Sequence, residues 1–166
     1  MAASAHPTHV QPKQALLELT LLNAESSDAS FDDVVIEGLK RDMPAELVTR
    51  LAELWTQTKI VAGEVIAVGK IIVRKIIAFM LANPKLAIGI AVGAALSALV
   101  AGIPFIGPLL APMAATLSML YGAGVGAAMQ KGDYSLSPYS AAIELANKFF
   151  ELLSAIFNGV SEYWTS

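Results

Sequence analysis

The chain has no cysteine. That excludes disulfides, thiol nucleophiles and zinc–thiolate centres. Charge is also scarce: 15% of the 166 residues are charged, where a typical soluble domain carries about 25%. The two histidines, His6 and His9, both lie in "SAHPTHVQP", which reads as a solvated tail rather than a metal site. There is no H-E-x-x-H, no G-x-S-x-G, no Walker loop and no carboxylate pair in a polar setting. No catalytic, cofactor-binding or metal-binding residue is therefore expected, and the chain does not read as an enzyme. "GAGVGA", 122–127, matches a dinucleotide fingerprint in letters only, because no strand precedes it and no βαβ unit surrounds it. No basic stripe interleaved with aromatics exists, so no nucleic-acid partner is expected. The opening "MAASAHPTHVQPKQ" lacks a basic region followed by an apolar one. It does not read as a secretory signal, and the expectation is a protein that meets any membrane from the cytoplasmic side.

Apolar sequence is abundant. Hydrophobic residues make up 55% of the chain, and the mean hydropathy is +0.60. No charged residue appears across 45 positions, from Leu86 to Gln130. Lys85 and Lys131 bracket that run. Net charge is −4 over 1–43, +2 over 44–83, +2 over 84–132 and −3 over 133–166. Positive charge beside the apolar run and acidic ends away from it suit an anionic lipid surface.

The run divides at "GIPFIGPLL", residues 102–110. Before it, 86–103 spans about 27 Å as a helix; after it, 109–129 spans about 31 Å. Each length is close to the hydrocarbon thickness of roughly 30 Å. Gly102, Pro104, Phe105, Gly107 and Pro108 read as the tip of a two-span hairpin, with the glycines permitting the reversal. Pro112 is expected in the first turn of the second span. Both lysines fall at the base, which the positive-inside rule assigns to the cytoplasm. The competing reading is a helical hairpin buried in a soluble core, or one that switches between the two environments.

Small residues recur every four positions on both arms: Gly89, Gly93, Ser97 and Ala101, then Ala114, Ser118, Gly122 and Gly126. Such glycine-zipper stripes let backbones approach closely in lipid. They fit packing of the hairpin on itself or against copies, and chance in Ala- and Gly-rich sequence also produces them.

Around the hairpin, helices are expected and no segment carries a strong strand signal. Pro12 opens a first helix. Ser30 with Asp33 is capping-box-like and predicts a short helix near 31–41. From Pro44 no breaker appears until "ANP" at 82–84, so 44–83 reads as one long helix of about 60 Å. Leu47, Leu51, Leu54 and Val61 form its apolar face. Glu64, Lys70, Arg74 and Lys75 interrupt its second half and are expected, with Lys85 and Lys131, at lipid headgroups or in ion pairs. Residues 133–166 predict a C-terminal amphipathic helix. Its apolar stripe is Leu145, Phe149, Leu152, Leu153, Ile156 and Val160, and Tyr163 and Trp164 fit interfacial anchors.

Taken together, these readings predict an all-α protein: a membrane-inserted hairpin of two spans with flanking long amphipathic helices, in an oligomeric bundle. The expected partners are the lipid membrane, further copies of the chain and a protein docked through the acidic arm 1–43. The expected role is an oligomeric anchor or apolar conduit in the inner or plasma membrane, with both termini cytoplasmic. A pore-forming or holin-like protein and a soluble oligomer with buried hairpins are the alternatives. Only Ser97, Thr116, Ser118 and Tyr121 are polar within the hairpin, which disfavours a wide aqueous pore. Over 86–130 the pattern resembles that of pore-forming colicins, in which amphipathic helices surround an uncharged hairpin. The resemblance carries over no individual residue.

Overall fold

The computed structural model of the protein describes residues 11–39, 43–121 and 139–165. Six helices come first: α1 (Pro12–Ser26), α2 (Phe31–Leu39), α3 (Ala45–Trp55), α4 (Val68–Ala82), α5 (Ile88–Gly102) and α6 (Gly107–Tyr121). After residue 138 come α7 (Tyr139–Phe149) and α8 (Glu151–Gly159). A three-stranded sheet in the order β2-β1-β3 joins β1 (Lys59–Val61), β2 (Glu64–Ile66) and β3 (Trp164–Thr165). The architecture is mostly helical, as the periodicity predicts.

Several local signals act as read. Pro12 occupies the first turn of α1, where its missing N–H costs nothing. Ser30 Oγ accepts a hydrogen bond from the Asp33 backbone N–H at 3.2 Å, and Asp32 and Asp33 face the positive end of α2. Leu47, Leu51 and Leu54 are the buried face of α3. α4 stops at Asn83, before Pro84.

The single long helix over 44–83 is not what forms. α3 ends at Trp55, and 59–66 folds into an antiparallel hairpin pairing Lys59 with Ile66 and Val61 with Glu64. Its two-residue turn places Ala62 at φ 52° and Gly63 at φ 84°. Positive φ at both turn positions matches the right-handed twist of the strands. β-Branched Ile60, Val61, Val65 and Ile66 on either side of that glycine supply the strand preference, and it outweighs helical continuity. The sheet gains its third strand from the chain's other end, with Val61 opposite Trp164 and Ile60 opposite Thr165.

The C-terminal helix is also interrupted. Phe150 sits at φ −96°, ψ 5° between α7 and α8. The expected apolar stripe is buried only in part. Leu153, Ile156 and Val160 are buried as expected, but Leu145 and Leu152 are 46% and 55% exposed. The α7 face turned inward is instead Ala142, Ile143 and Ala146.

α5 is the centre of the molecule. It is apolar around its whole circumference, and ten of its 15 residues are buried. A helix of that kind must be enclosed by protein or by lipid. Here α4, α6, α7 and α8 pack on it. α3 packs on α4 and α6, α2 on α3 and α4, and α1 on α4 and α8. Phe79 of α4 contacts Phe149 and Phe150, at 5.4 and 5.9 Å between ring centroids, where α7 meets α8.

Candidate functional site

Over its described part, 86–121, the uncharged stretch folds as a helical hairpin. A Cβ on Gly89, near the start of α5, would lie 2.9 Å from the Tyr121 ring at the end of α6. That contact makes the two arms antiparallel and reserves space for the aromatic ring. The reversal is not built on glycine flexibility, however. Gly107 is right-handed helical at φ −48°, ψ −50°, and Gly63 is the positive-φ glycine among the described residues. Ile103, at φ −131° and ψ 78°, ends α5, and Pro104–Ile106 form a 3-10 turn that runs directly into α6. Helix α6 therefore begins earlier than 109, and Pro112 lies inside it rather than in its first turn. Lacking an N–H, Pro112 leaves the Pro108 carbonyl without its i+4 donor.

The tip is tied down by the C-terminal segment. Phe105 packs edge-to-face on Trp164, with centroids 5.0 Å apart, and Trp164 also contacts Phe157 at 5.9 Å. Asn158 Nδ2 donates to the Gly102 carbonyl at 2.6 Å. Pro104 and Pro108 are exposed, whereas Phe105 is half-buried. Trp164 is thus an internal contact of the tip. Nothing in its local sequence separates that role from the interfacial anchoring expected of it.

The second arm is clamped from another side. Arg50 Nε on α3 donates to Thr116 Oγ1 at 3.1 Å, and Thr116 donates in turn to the Pro112 carbonyl at 3.0 Å. Arg50 also pairs with Glu53 at 2.8 Å. This cross-helix tie joins residues 66 positions apart and has no sequence signature.

The small-residue positions separate by environment. Gly89, Gly93 and Ser97 are buried on α5, Ala101 is exposed, and Ala114 and Ser118 are half-buried on α6. Gly122 and Gly126 lie outside the described residues. Ser97 and Ala114 face one groove between α5 and α6, with a volume of about 370 Å³. The two stripes meet there, within one chain. Ser97 is 9% exposed, and its hydroxyl has no hydrogen-bond partner among the described residues.

The charged positions do not gather at one site. Glu64 is exposed on β2, on a strand rather than in an apolar helix. Lys70 Nζ lies 5.7 Å from the centroid of the Trp55 ring, a cation–π arrangement. Arg74 donates to the buried Ser26 hydroxyl at 2.9 Å. Arg74 and Lys75 also line a small cavity of about 120 Å³ with Glu25. Lys85 is exposed at the base of the hairpin, and Lys131 lies outside the described residues. Among the described residues no group of His, Asp and Glu is arranged to hold a metal ion.

Coverage of the two arms differs sharply. α5 is enclosed, whereas only 28% of the residues from Pro104 to Tyr121 are buried. Met119 is 69% exposed, and the neighbouring outer positions Pro108, Ala111, Pro112 and Ala115 are exposed as well. That 18-residue stretch is long and apolar enough to cross a membrane, while α5 is a shorter apolar helix. At 15 residues α5 spans about 22 Å, less than the roughly 30 Å of a hydrocarbon core. No family model, curated protein or solved structure matches the chain.

Proposed function

We propose that this protein is a non-enzymatic, self-associating membrane anchor that meets lipid through the outer face of α6. The observation that carries the reading is the uncharged stretch Pro104–Tyr121, exposed along one face at Pro108, Ala111, Pro112, Ala115 and Met119, while its partner helix α5 is enclosed. Water opposes an exposed apolar face, and lipid or a second copy relieves the cost. Exposed Lys85, at the base of the hairpin, supplies positive charge on the headgroup side. In this reading the base faces the cytoplasm, and the acidic N-terminal part, 1–43, is directed away from lipid toward a protein partner. Full two-span insertion is a second stage, because α5 must first leave α7 and α8. The tip must also leave Trp164 and Asn158.

Flotation with anionic phospholipid vesicles tests the reading. The wild-type chain rises with the vesicles. Met119→Glu places a charge on the outer face of α6 without touching the core. A carboxylate buried in hydrocarbon costs about 2.5 kcal/mol or more, so binding falls at least about tenfold. Equal flotation of the two proteins rules out α6 as the lipid-facing element. Dye-loaded vesicles separate an anchor from a pore: an anchor leaves them tight, and leakage favours the pore-forming alternative. A dimer in solution whose α6 is protected, with no vesicle binding, favours the soluble oligomer.

A further inference from the structure

Helix α4 carries Lys70, Arg74 and Lys75 and no acid. Lys70 is engaged on the Trp55 ring. Arg74 and Lys75 are half-buried, and neither forms an ion pair among the described residues. A cation drawn partly out of water without a counter-charge is costly, and here two adjoin. Arg74 is also held in place. Its Nη1 donates to the Ser26 hydroxyl at 2.9 Å, and Ser26, at the end of α1, is 2% exposed. That bond leaves the Nε–Nη2 edge of the guanidinium unspent among the described residues. Such an edge is the fork that grips a phosphate through two parallel hydrogen bonds. Arg74, Lys75 and Ser26 line one cavity between α1 and α4, about 120 Å³ in volume, with Ile71 as an apolar wall. Sites for drug-sized ligands begin near about 300 Å³, so this cavity admits a short polar group and excludes an acyl chain or a nucleoside.

Glu25 lines the cavity too and is itself exposed. It pairs with neither cation among the described residues. A simple anion meets its repulsion, whereas a ligand with an amine beside its phosphate turns the same carboxylate into a partner. We infer that this cavity binds an amine-bearing phosphate of the phosphoethanolamine kind. Its phosphate oxygens accept from the Arg74 fork and from Lys75 Nζ, and its ammonium faces Glu25. Such a group comes as a free phosphomonoester or as the headgroup of a phospholipid. The inference rests on the cavity between α1 and α4, and holds whether or not α6 contacts a bilayer.

The test uses the full chain without vesicles, at a fixed ionic strength of about 0.15 M so that diffuse attraction is screened alike for every probe. Phosphoethanolamine and inorganic phosphate are titrated, with the methyl resonances of Ile71 and Ala78 as the readout. Phosphoethanolamine produces saturable shifts at both residues and binds more tightly than inorganic phosphate. Arg74→Gln weakens both probes about tenfold or more, the worth of hydrogen bonds to a charged group; Lys75→Gln serves if that variant does not fold. Glu25→Gln weakens phosphoethanolamine about two- to fivefold, the scale of one exposed ion pair, and does not weaken inorganic phosphate. Dihexanoyl phosphatidylethanolamine, dispersed as monomers, separates the two sources. Binding at least as tight as that of phosphoethanolamine assigns a lipid headgroup, weaker binding assigns a free phosphomonoester, and either result supports the site. Shifts that fail to saturate, or that survive loss of the cation, overturn the site. Equal response of the two phosphates to Glu25→Gln overturns the role of the amine. Met119→Glu, aimed at vesicle binding, leaves phosphoethanolamine binding intact, so loss of the membrane reading and loss of this site are separate results.

Discussion

Ser97→Ala makes a sharp prediction about stability. Ordinary buried serines lose a hydrogen bond on this change, and the protein weakens. Ser97 has no such bond to lose among the described residues. Its hydroxyl was stripped of water on folding, and an unsatisfied buried polar group costs about 1–3 kcal/mol. Alanine removes that cost and is the better helix former by a few tenths of a kcal/mol. It deletes one oxygen atom, and the position already borders a groove, so the packing loss is small. The expected net effect is stabilisation by about 1–2 kcal/mol. For a chain of this size each kcal/mol moves Tm by roughly 2–4 °C, giving a rise of about 2–8 °C. Urea denaturation followed by circular dichroism at 222 nm, with unchanged m value, is the assay. Destabilisation by about 1 kcal/mol or more refutes the reasoning, because it means the hydroxyl is satisfied in solution.

Other substitutions probe the fold and the tip. A Cβ on Gly69 would collide with the Leu54 carbonyl oxygen, part of the backbone of α3. Gly69→Ala is therefore expected to cost about 1–3 kcal/mol by overpacking, although alanine in an open helix gains up to about 1 kcal/mol over glycine. A Cβ on Gly89 would lie 2.9 Å from the near edge of the Tyr121 ring, so Gly89→Ala forces the ring to move and is expected to cost about 1–3 kcal/mol in the same urea assay. Ala62→Asn converts the Ala62–Gly63 turn to the favoured Asn-Gly pair and raises Tm, by up to about 1 kcal/mol of stabilisation; an unchanged Tm argues against the positive φ. Trp164→Ala removes two ring contacts from the tip, destabilises by about 2 kcal/mol and increases vesicle binding by freeing Phe105. If it is destabilised yet floats no better, Trp164 does not restrain insertion.

The legible parts of this protein were those governed by local rules. Ser30 and Asp33 announce the start of α2, and Leu47, Leu51 and Leu54 announce the face of α3. The break near 82–84 follows from "ANP". The hairpin at 59–66 was missed because its valines and isoleucines also fit an apolar helix. The deciding signal was Gly63 between two β-branched pairs, and helical continuity concealed it. The C-terminal stripe failed at Leu145 and Leu152, because the face of α7 and α8 that turns inward is set by the helices they pack on, and the sequence of one amphipathic segment does not name them.

By itself, the sequence determined that the chain is helical and that an uncharged apolar hairpin lies at its middle. It also excluded thiol chemistry. Those conclusions rest on composition, periodicity and residue type, which need no knowledge of distant neighbours. Only the tertiary structure decided which arm is enclosed and which is open. α5 and α6 are equally free of charge, and apolarity is the same signal whether protein or lipid covers a helix. The difference comes from long-range contacts: α7 and α8 on α5, Arg50 on Thr116, and Trp164 on Phe105. The same packing left the Ser97 hydroxyl buried with no hydrogen-bond partner among the described residues, because a hydroxyl's surroundings are set by whichever helices meet over it.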